Sequence, residues 1–377
     1  MRDFETIVVG GGASGCLCAL ASDKKVAIID KDNKLAKKLL VTGNGRCNLT
    51  NLQISDKYYN TSIKKYLSVF DNKKTLEFFN ELGLVTYSDE QGRVYPISNS
   101  AKSVQQVIVN RLSKTTPFIN DTITSIKKEG KNFVLAGNND SYSCKKLVLA
   151  CAKCELLDGL KIKYKAFSPS LCSLKTQSTR NLNNIRVDNV KVSAENNFGQ
   201  KKSEIGEVLF KESGLSGIVI FNISSLFARQ GSFCGKVTID LLPSLSEGQL
   251  LQLLEKRKGL DVLVSDYFDG LFVKEIAYEI LNRLKLNENR SCTQLNESEL
   301  LRIAKTIKNL SFDVKGFYPN NQVYSGGVSL DDLDEKLQHK ILKNLYICGE
   351  LCDVDGECGG YNLQWAWTSG YIVGKSI

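Results

Sequence analysis

Histidine is almost absent from this chain, which has a single one, His339, among 377 residues. The charged and polar residues around it predict a solvated helix or turn rather than a reactive pocket. A histidine-based catalytic triad, a histidine metal site and a histidine general base are therefore disfavoured. Acid–base chemistry would have to come from tyrosine, cysteine, lysine, arginine or carboxylate side chains.

Long apolar runs are missing as well. No segment reaches the roughly 20 apolar residues that a membrane-spanning helix needs, so we expect no membrane partner. The first strand-like run starts within a few residues of Met1, which leaves no room for a signal peptide, and we expect a cytoplasmic protein. The 12 cysteines lack the spacing of a disulfide framework and are expected to be reduced thiols.

Charge of one sign is not concentrated anywhere in the sequence. The net charge of +9 comes from 50 Lys and Arg interspersed with 41 Asp and Glu. A dedicated nucleic-acid surface is therefore not favoured. A hydrophobic content of 42% over this length is typical of a globular protein and predicts two or three domains.

A glycine fingerprint stands near the start of the chain. Ile7–Val9 is typical of a strand buried on both faces, and Gly10, Gly12 and Gly15 follow it as G-x-G-x-x-G. The first glycine permits a tight turn, the second admits a pyrophosphate, and the third lets a helix pack on the strand. That helix is predicted over Ala13–Ala21, with its free N–H groups towards the phosphates.

An acidic residue follows at the distance that this motif requires. Val26–Ile29 predicts the second strand, and Asp30 closes it 20 residues after Gly10. A carboxylate at this position can bind ribose hydroxyls. The alternative is a glycine-rich turn in an ordinary α/β domain, which the complete strand–helix–strand–acid order disfavours.

A second glycine-rich segment follows. Gly43 and Gly45 bracket Asn44, so the backbone there can adopt positive φ and approach a flat ligand. Arg46 adds a fixed cation and Cys47 a polarizable thiol. On these residues alone, a structural turn is favoured.

The middle of the chain changes character twice. Residues 166–245 contain short β-like runs, among them Ile218–Ile223, and predict a β-rich insert. Residues 246–310 have helical periodicity, and Asn296 with Glu299 predicts a capping box. We expect the apolar stripes of these helices to form core rather than a partner groove.

Cys151 and Cys154 form a C-x-x-C directly after a predicted strand at Lys146–Ala150. Such a motif is either a redox pair or half of a zinc site. Because no second C-x-x-C follows and histidine is scarce, we expect no metal site. Two incidental thiols are favoured over a functional pair.

The chain ends with another helix preceded by glycine. A final strand is predicted over Asn344–Glu350, and Gly359 and Gly360 precede an apolar helix whose first N–H groups carry a partial positive charge. That charge suits a flavin, whose ring edge becomes negative on reduction. The alternative is a plain helix with Trp365 and Trp367 in the core, which does not explain the two glycines.

With these residues in view, the chain resembles the BaiN-like flavoproteins, the NAD(P)/FAD-dependent oxidoreductases of the aminoacetone-oxidase type. The resemblance runs nearly end to end. It is carried by Gly10–Gly15 with Asp30, Lys38–Asn51, Gly214–Gly217 and Gly349–Trp367.

The resemblance implies an α/β fold of three parts. These are an FAD-binding Rossmann-type domain built from both chain ends (1–165 and 324–377), an inserted β-barrel-like subdomain (166–245 and 311–323) and a small helical subdomain (246–310). It implies FAD as cofactor, NAD(P)H as a transient co-substrate and a small-molecule substrate.

The resemblance also implies cofactor-binding positions. They are Gly10, Gly12, Ala13, Ser14, Gly15, Asp30, Lys31, Leu40, Thr42, Gly43, Gly45, Arg46, Cys47, Asn48, Ile123, Gly349, Glu350, Asp355, Gly359, Gly360, Tyr361, Asn362 and Leu363. We expect Arg46, Cys47 and Tyr361 nearest the flavin ring as catalytic groups. Arg46 would stabilise charge, and Tyr361 or Cys47 would donate a proton.

The chain departs from the family pattern near the expected cleft. Ala150-Cys-Ala-Lys153 stands where the family has Ala-Thr-Gly-Gly, the segment after it is shorter, and the first helix is trimmed. The leading hypothesis is an oxidoreductase that passes hydride from a reduced nicotinamide through flavin N5 to an organic acceptor, an enone-like or carbonyl compound. Two alternatives stay open: a flavoprotein acting on tRNA or other RNA, and a non-catalytic flavin-binding redox sensor.

Overall fold

The structure is a computed structural model that describes residues 1–177, 179–319 and 321–377. Ser178 and Asn320, which fall within the predicted β-rich insert, lie outside the described residues. The chain divides into two compact units, Met1–Ser168 with Gln322–Ile377 and Pro169–Asn321. The first unit therefore contains both ends of the chain.

The described residues form nine α-helices and 19 β-strands. The helices are α1 (Ala13–Ala21), α2 (Lys64–Leu67), α3 (Asn72–Glu81), α4 (Ala101–Leu112), α5 (Ile218–Ala228), α6 (Glu247–Arg257), α7 (Lys274–Leu284), α8 (Glu297–Lys308) and α9 (Tyr361–Ser376). The strands are β1 (Arg2–Val9), β2 (Ala27–Asp30), β3 (Thr50–Asn51), β4 (Thr86–Ser88), β5 (Arg93–Pro96), β6 (Phe118–Asn120), β7 (Ile123–Glu129), β8 (Asn132–Gly137), β9 (Ser141–Leu149), β10 (Lys165–Ser170), β11 (Leu174–Lys175), β12 (Arg186–Asn196), β13 (Lys201–Lys211), β14 (Gly214–Ser216), β15 (Gly235–Asp240), β16 (Leu310–Val314), β17 (Gly316–Phe317), β18 (Val323–Gly327) and β19 (Leu345–Ile347).

A seven-stranded sheet is the centre of the first unit. Its strands β6, β2, β1, β9 and β19 are parallel neighbours in that order, and β8 and β7 continue antiparallel from β9. Ile7, Val8 and Val9 of β1 are buried, as expected of a strand covered on both faces. All five parallel strands end at one edge, so the segments that follow them meet there.

Helix α9 packs across α1 and so joins the two ends of the chain. A Cβ on Gly374 would lie 2.5 Å from the carbonyl oxygen of Cys18, and one on Gly370 would collide with that of Ser14. These glycines let the two helix backbones touch. Trp365 and Trp367 are buried in the core.

His339 is not solvated, so that prediction is wrong. The side chain is buried, and its Nδ1 accepts hydrogen bonds from the backbone N–H groups of Ile341 at 3.3 Å and Leu342 at 3.0 Å. The ring caps a local turn, which its charged sequence neighbours did not indicate. Burial lowers the pKa of His339 from its ordinary value.

The second unit contains a seven-stranded sheet in the order β16-β15-β12-β13-β14-β11-β17. The strand predicted at Ile218–Ile223 is instead the start of α5. A short apolar run does not distinguish a buried strand from a buried helix. The capping box is confirmed: Asn296 Oδ1 accepts from Glu299 N at 3.0 Å, and Glu299 Oε2 from Asn296 N at 3.1 Å.

No helix in the described part of the chain combines the length and the apolar character that crossing a membrane requires. The α/β class predicted from the sequence is confirmed by the two seven-stranded sheets and their surrounding helices.

Candidate functional site

Three glycines shape the turn between β1 and α1. Gly10 has a φ of +107°, which residues with side chains rarely adopt. A Cβ on Gly15 would collide with the carbonyl oxygen of Gly10, whereas a Cβ on Gly12 would have no atom within 4 Å. The turn thus packs helix against strand at Gly15 and leaves open space at Gly12.

The N-terminus of α1 has no side-chain cap. Its first intrahelical hydrogen bond runs from Cys16 N to Gly12 O at 2.9 Å. The N–H groups of Ala13, Ser14 and Gly15 precede that bond and carry the positive end of the helix dipole. Amides of this kind beside open space suit a phosphate.

Asp30 ends β2 beside this turn. Its Oδ2 accepts a hydrogen bond from Gly11 N, and its Oδ1 accepts one from Asp32 N at 2.7 Å. The carboxylate is half-buried and has further lone pairs at the same sheet edge. The neighbouring Lys31 is exposed, and its carbonyl oxygen accepts from Asn120 Nδ2 at 3.0 Å.

A 3₁₀ helix over Lys37–Gly45 is distorted where the glycines stand. Gly43 has a φ of +54° and Gly45 one of +79°. Thr42 Oγ1 donates to Leu39 O at 2.7 Å and fixes the start of the distortion. A side chain at Gly43 would lie 2.8 Å from Asn48 N, so the turn needs glycine there.

Arg46 is held by an aromatic ring. Its guanidinium carbon lies 4.5 Å from the ring centroid of Tyr95, and its Nε donates to Gly43 O at 3.4 Å. Within the described residues, no carboxylate forms an ion pair with Arg46. Its positive charge is therefore available to a negative group on a ligand.

Both candidate proton donors are buried and neutral. Burial raises the pKa of the Cys47 thiol to about 12. Burial, and then the neighbouring Tyr58, raises the pKa of the Tyr361 phenol above its ordinary value. At neutral pH each side chain keeps its proton and can donate it in a hydrogen bond.

Asn48 lies against the start of α9. A Cβ on Gly360 would be 2.9 Å from Asn48 Oδ1, a buried oxygen with no hydrogen-bond partner among the described residues. Gly360 is the N-cap of α9, has a φ of +98° and provides no side-chain cap. The buried oxygen of Asn48 therefore lies beside the uncapped N-terminus of α9.

Gly349 follows β19 and touches α1. Its φ is +69°, and a side chain there would collide with Ser14 Oγ. Glu350 is already engaged: Oε1 accepts from Tyr324 N at 2.8 Å, and Oε2 lies 3.6 Å from Lys38 Nζ. Gly349 thus brings the last parallel strand to the glycine turn, and Glu350 supports the neighbouring loops.

The loop before α9 is closed by Asn362. Its Oδ1 accepts from Gly356 N and its Nδ2 donates to Gly356 O, both at 2.8 Å. Asp355 Oδ2 accepts from Ser325 Oγ at 3.1 Å, and Gly359 has a φ of +130°. Asp355 and Asn362 therefore shape this loop. Two other predicted residues, Leu40 and Leu363, are half-buried.

The altered segment after β9 reaches the same sheet edge. Lys153 Nζ donates to the carbonyl oxygen of the buried Ile123 at 3.3 Å. Burial raises the pKa of both Cys151 and Cys154 to about 12, so neither is a thiolate at neutral pH. No group of three or more potential ligands in the described chain is placed to hold a metal ion.

Two sets of predicted residues are brought together. Gly10–Gly15, Asp30 and Gly349 meet at the carboxyl edge of the sheet, and Asn48, which lies against Gly43, meets Gly360 at the start of α9. Sequence reasoning missed the rings of Tyr58 and Tyr95, which support Tyr361 and Arg46. Neither ring belongs to a motif, so the sequence carried no signal for them.

A family model described as HI0933-like protein Rossmann domain matches residues 4–376. The chain belongs to the HI0933-like family. This confirms the resemblance to the BaiN-like FAD-dependent oxidoreductases and the Rossmann-type fold.

The relatives of this HI0933-like chain match it over nearly its whole length. It is 31% identical over 403 residues to the 3-dehydro-bile acid delta(4,6)-reductase of Clostridium scindens, covering 98% of each chain. It is 27% identical to the ribosomal RNA dihydrouridine synthase of Escherichia coli, covering 100% of this chain and 98% of the relative. The enzyme of that name from Haemophilus influenzae is 24% identical, covering 99% and 98%.

The HI0933-like chain has groups that fit the dinucleotide its family implies. The space at Gly12 and the uncapped start of α1 match a pyrophosphate. The buried oxygen of Asn48 beside the uncapped start of α9 matches the polar edge of a flat ring.

Proposed function

We propose that this chain is an FAD-dependent oxidoreductase that passes hydride between a reduced nicotinamide and a small organic substrate. The observation that carries this proposal is the pair of uncapped helix N-termini, α1 at Gly12 and α9 at Gly360, in one compact unit. Bound FAD would supply a ring that accepts and passes on hydride.

In this proposal each group of residues has one task. The amides of residues 12–15 bind the pyrophosphate, and Asp30 binds the ribose. The start of α9 and the oxygen of Asn48 orient the ring edge. Arg46, which rests on Tyr95, stabilises negative charge that develops beside it.

Proton transfer is assigned to a neutral side chain. Tyr361 or Cys47 would donate a proton to the substrate as hydride arrives, because burial keeps both protonated. This requires that the anion left behind be reprotonated from solvent before the next turnover. A raised pKa makes either group a weak acid, so we expect the proton step to contribute to the rate.

The substrate class follows from chemistry that two relatives share by name. A bile acid delta(4,6)-reductase and a dihydrouridine synthase both add hydrogen to carbon–carbon double bonds. We propose that the substrate contains a carbon–carbon double bond conjugated to a carbonyl group. The carbonyl withdraws electron density from the carbon that accepts hydride.

The test is anaerobic mixing of the purified holoprotein with NADH and with NADPH, followed by the flavin absorbance. We expect bleaching with at least one nicotinamide and recovery when an enone is added in excess, over many turnovers. A flavin that stays oxidised with both donors would reject the nicotinamide step. Reoxidation that stops at one equivalent with a broad acceptor panel would favour a redox sensor.

A second candidate is a flavoprotein that acts on RNA. The names of the two relatives from Escherichia coli and Haemophilus influenzae favour it, and the net charge of +9 is compatible with it. Binding of ribosomal RNA fragments that falls steeply with added salt, together with dihydrouridine formation, would support it. No binding at low salt would reject it.

A further inference from the structure

Two lysines and two glycines form a row across four neighbouring strands of the second unit. Lys211 of β13 pairs with Gly214 of β14, Gly214 with Lys175 of β11, and Lys175 with Gly316 of β17. Residues directly opposite each other lie on the same face of a sheet. Both lysines therefore lie on the same face of the sheet, and each has a glycine as its cross-strand neighbour.

The ring of Tyr318 fills the space above Gly214. A Cβ on Gly214 would lie 2.8 Å from Tyr318 Cε2, so only glycine admits the ring there. Lys211 Nζ lies 5.0 Å and Lys175 Nζ 5.4 Å from the ring centroid. Two positive charges thus lie within cation–π distance of the half-buried ring of Tyr318.

Within the described residues, neither Lys175 nor Lys211 forms an ion pair with a carboxylate. Two ammonium groups drawn to one ring repel each other, and a bound anion would relieve that repulsion.

Hydroxyl groups line the same face. Lys211 Nζ lies 3.2 Å from Ser173 Oγ, and Ser173 Oγ lies 2.9 Å from Ser216 Oγ. Both serines are buried. Tyr318 OH donates away from the row, to Ser213 O at 3.2 Å, so the ring rather than the phenol serves the two lysines.

We propose that this row of Lys211, Gly214, Lys175 and Tyr318 binds a phosphate group. Lysine is a point-charge partner for phosphate, and two lysines with adjacent hydroxyls match a group that presents several oxygens. The phosphate is either free, as on a phosphorylated small molecule, or part of an RNA backbone. The site does not depend on the proposed function, since none of its residues belongs to the flavin-binding unit.

The test is calorimetric titration of the full-length holoprotein at constant ionic strength with two probes, inorganic phosphate and a ten-residue oligouridylate. We expect Lys175→Gln and Lys211→Gln each to weaken binding about tenfold, as loss of a charged hydrogen-bonding group does. Lys274→Gln, which removes an exposed lysine of α7, should leave binding unchanged.

Weaker binding of both probes in the two lysine variants supports a site for free phosphate. Weaker binding of oligouridylate, with no binding of inorganic phosphate to any form, supports an RNA backbone. Equal binding in wild type, Lys175→Gln and Lys211→Gln, or no binding of either probe, overturns the proposal. Flavin absorbance, measured on every sample, separates this result from failure of the proposed function, and circular dichroism with chemical denaturation reports whether the second unit of each variant is folded.

Discussion

The rings of Tyr58 and Tyr361 stack with their centroids 4.4 Å apart and their planes 23° apart. Tyr59 approaches the same ring edge-on, and its hydroxyl donates to Tyr361 O at 2.8 Å. The first residue of α9 is therefore fixed by two aromatic neighbours about 300 positions away in sequence. This fixes where the uncapped N-terminus of α9 stands.

The stack permits a sharp test of Tyr361 as proton donor. Tyr361→Phe keeps the ring and its contacts but removes the hydroxyl, so we expect normal flavin content. If the phenol donates the proton, substrate reduction should slow by about 10²- to 10⁴-fold, while reduction of the flavin by nicotinamide is unchanged. Cys47→Ala is the matched variant, and the larger loss identifies the donor.

The pH dependence of that step should follow from the same burial. The pKa of Tyr361 is raised above its ordinary value, so the acid form persists to higher pH than an exposed tyrosine allows. We expect the rate of substrate reduction to show no loss assignable to this phenol between pH 7 and about 10. A wild-type loss centred near pH 8 that Tyr361→Phe abolishes would contradict this assignment.

How much the sequence predicted depends on how local each feature is. The glycine turn and the capping box involve residues within a few positions of each other, so their spacing suffices. The stack of Tyr58 on Tyr361 and the contact of Asn48 with Gly360 need the two chain ends to fold together. No periodicity or spacing records such a contact.

Two predictions were wrong because a local pattern was ambiguous. The apolar run at Ile218–Ile223 is helical. A short apolar run does not distinguish a buried helix from a strand that is buried on both faces. His339 is buried although its sequence neighbours are charged. Its imidazole satisfies two backbone N–H groups, a tertiary role that composition does not show.

His339 should make the fold less stable in mild acid. Burial lowers its folded pKa below the unfolded value, so stability is fully present above about pH 6.5 and is lost as pH falls towards the folded pKa. Protonation would also remove Nδ1 as an acceptor. We expect His339→Asn, which keeps an acceptor but does not titrate, to reduce the fall in Tm between pH 7 and pH 5. Parallel Tm curves for wild type and variant would contradict this.

The capping box of α8 gives a prediction for the second unit alone. Asn296→Ala removes the acceptor for Glu299 N and should lower the free energy of unfolding by about 1 kcal/mol. We expect this in chemical denaturation, with flavin content unchanged. Ser246→Ala at the start of α6, which has a capping box of the same kind, should have a similar effect.

At Gly12 the fold tolerates a side chain, whereas a bound pyrophosphate would not. Its φ of −76° suits any residue, and a Cβ there would meet nothing within 4 Å, so the protein alone tolerates alanine. The second glycine of the motif exists so that a pyrophosphate can approach the backbone. We therefore expect Gly12→Ala to keep its unfolding midpoint in the absence of FAD and to bind FAD at least about tenfold more weakly.

Gly248 supplies the control, because it also has a negative φ, lies in the first turn of α6 and has open space at its Cβ. Gly248→Ala should leave FAD affinity unchanged and stabilise the helix by about 0.5–1 kcal/mol. Flavin fluorescence titration of the two apoprotein variants makes the comparison. Equal FAD affinity in both would mean that the open space at Gly12 is not filled by a phosphate, and the role assigned to the uncapped start of α1 would be withdrawn.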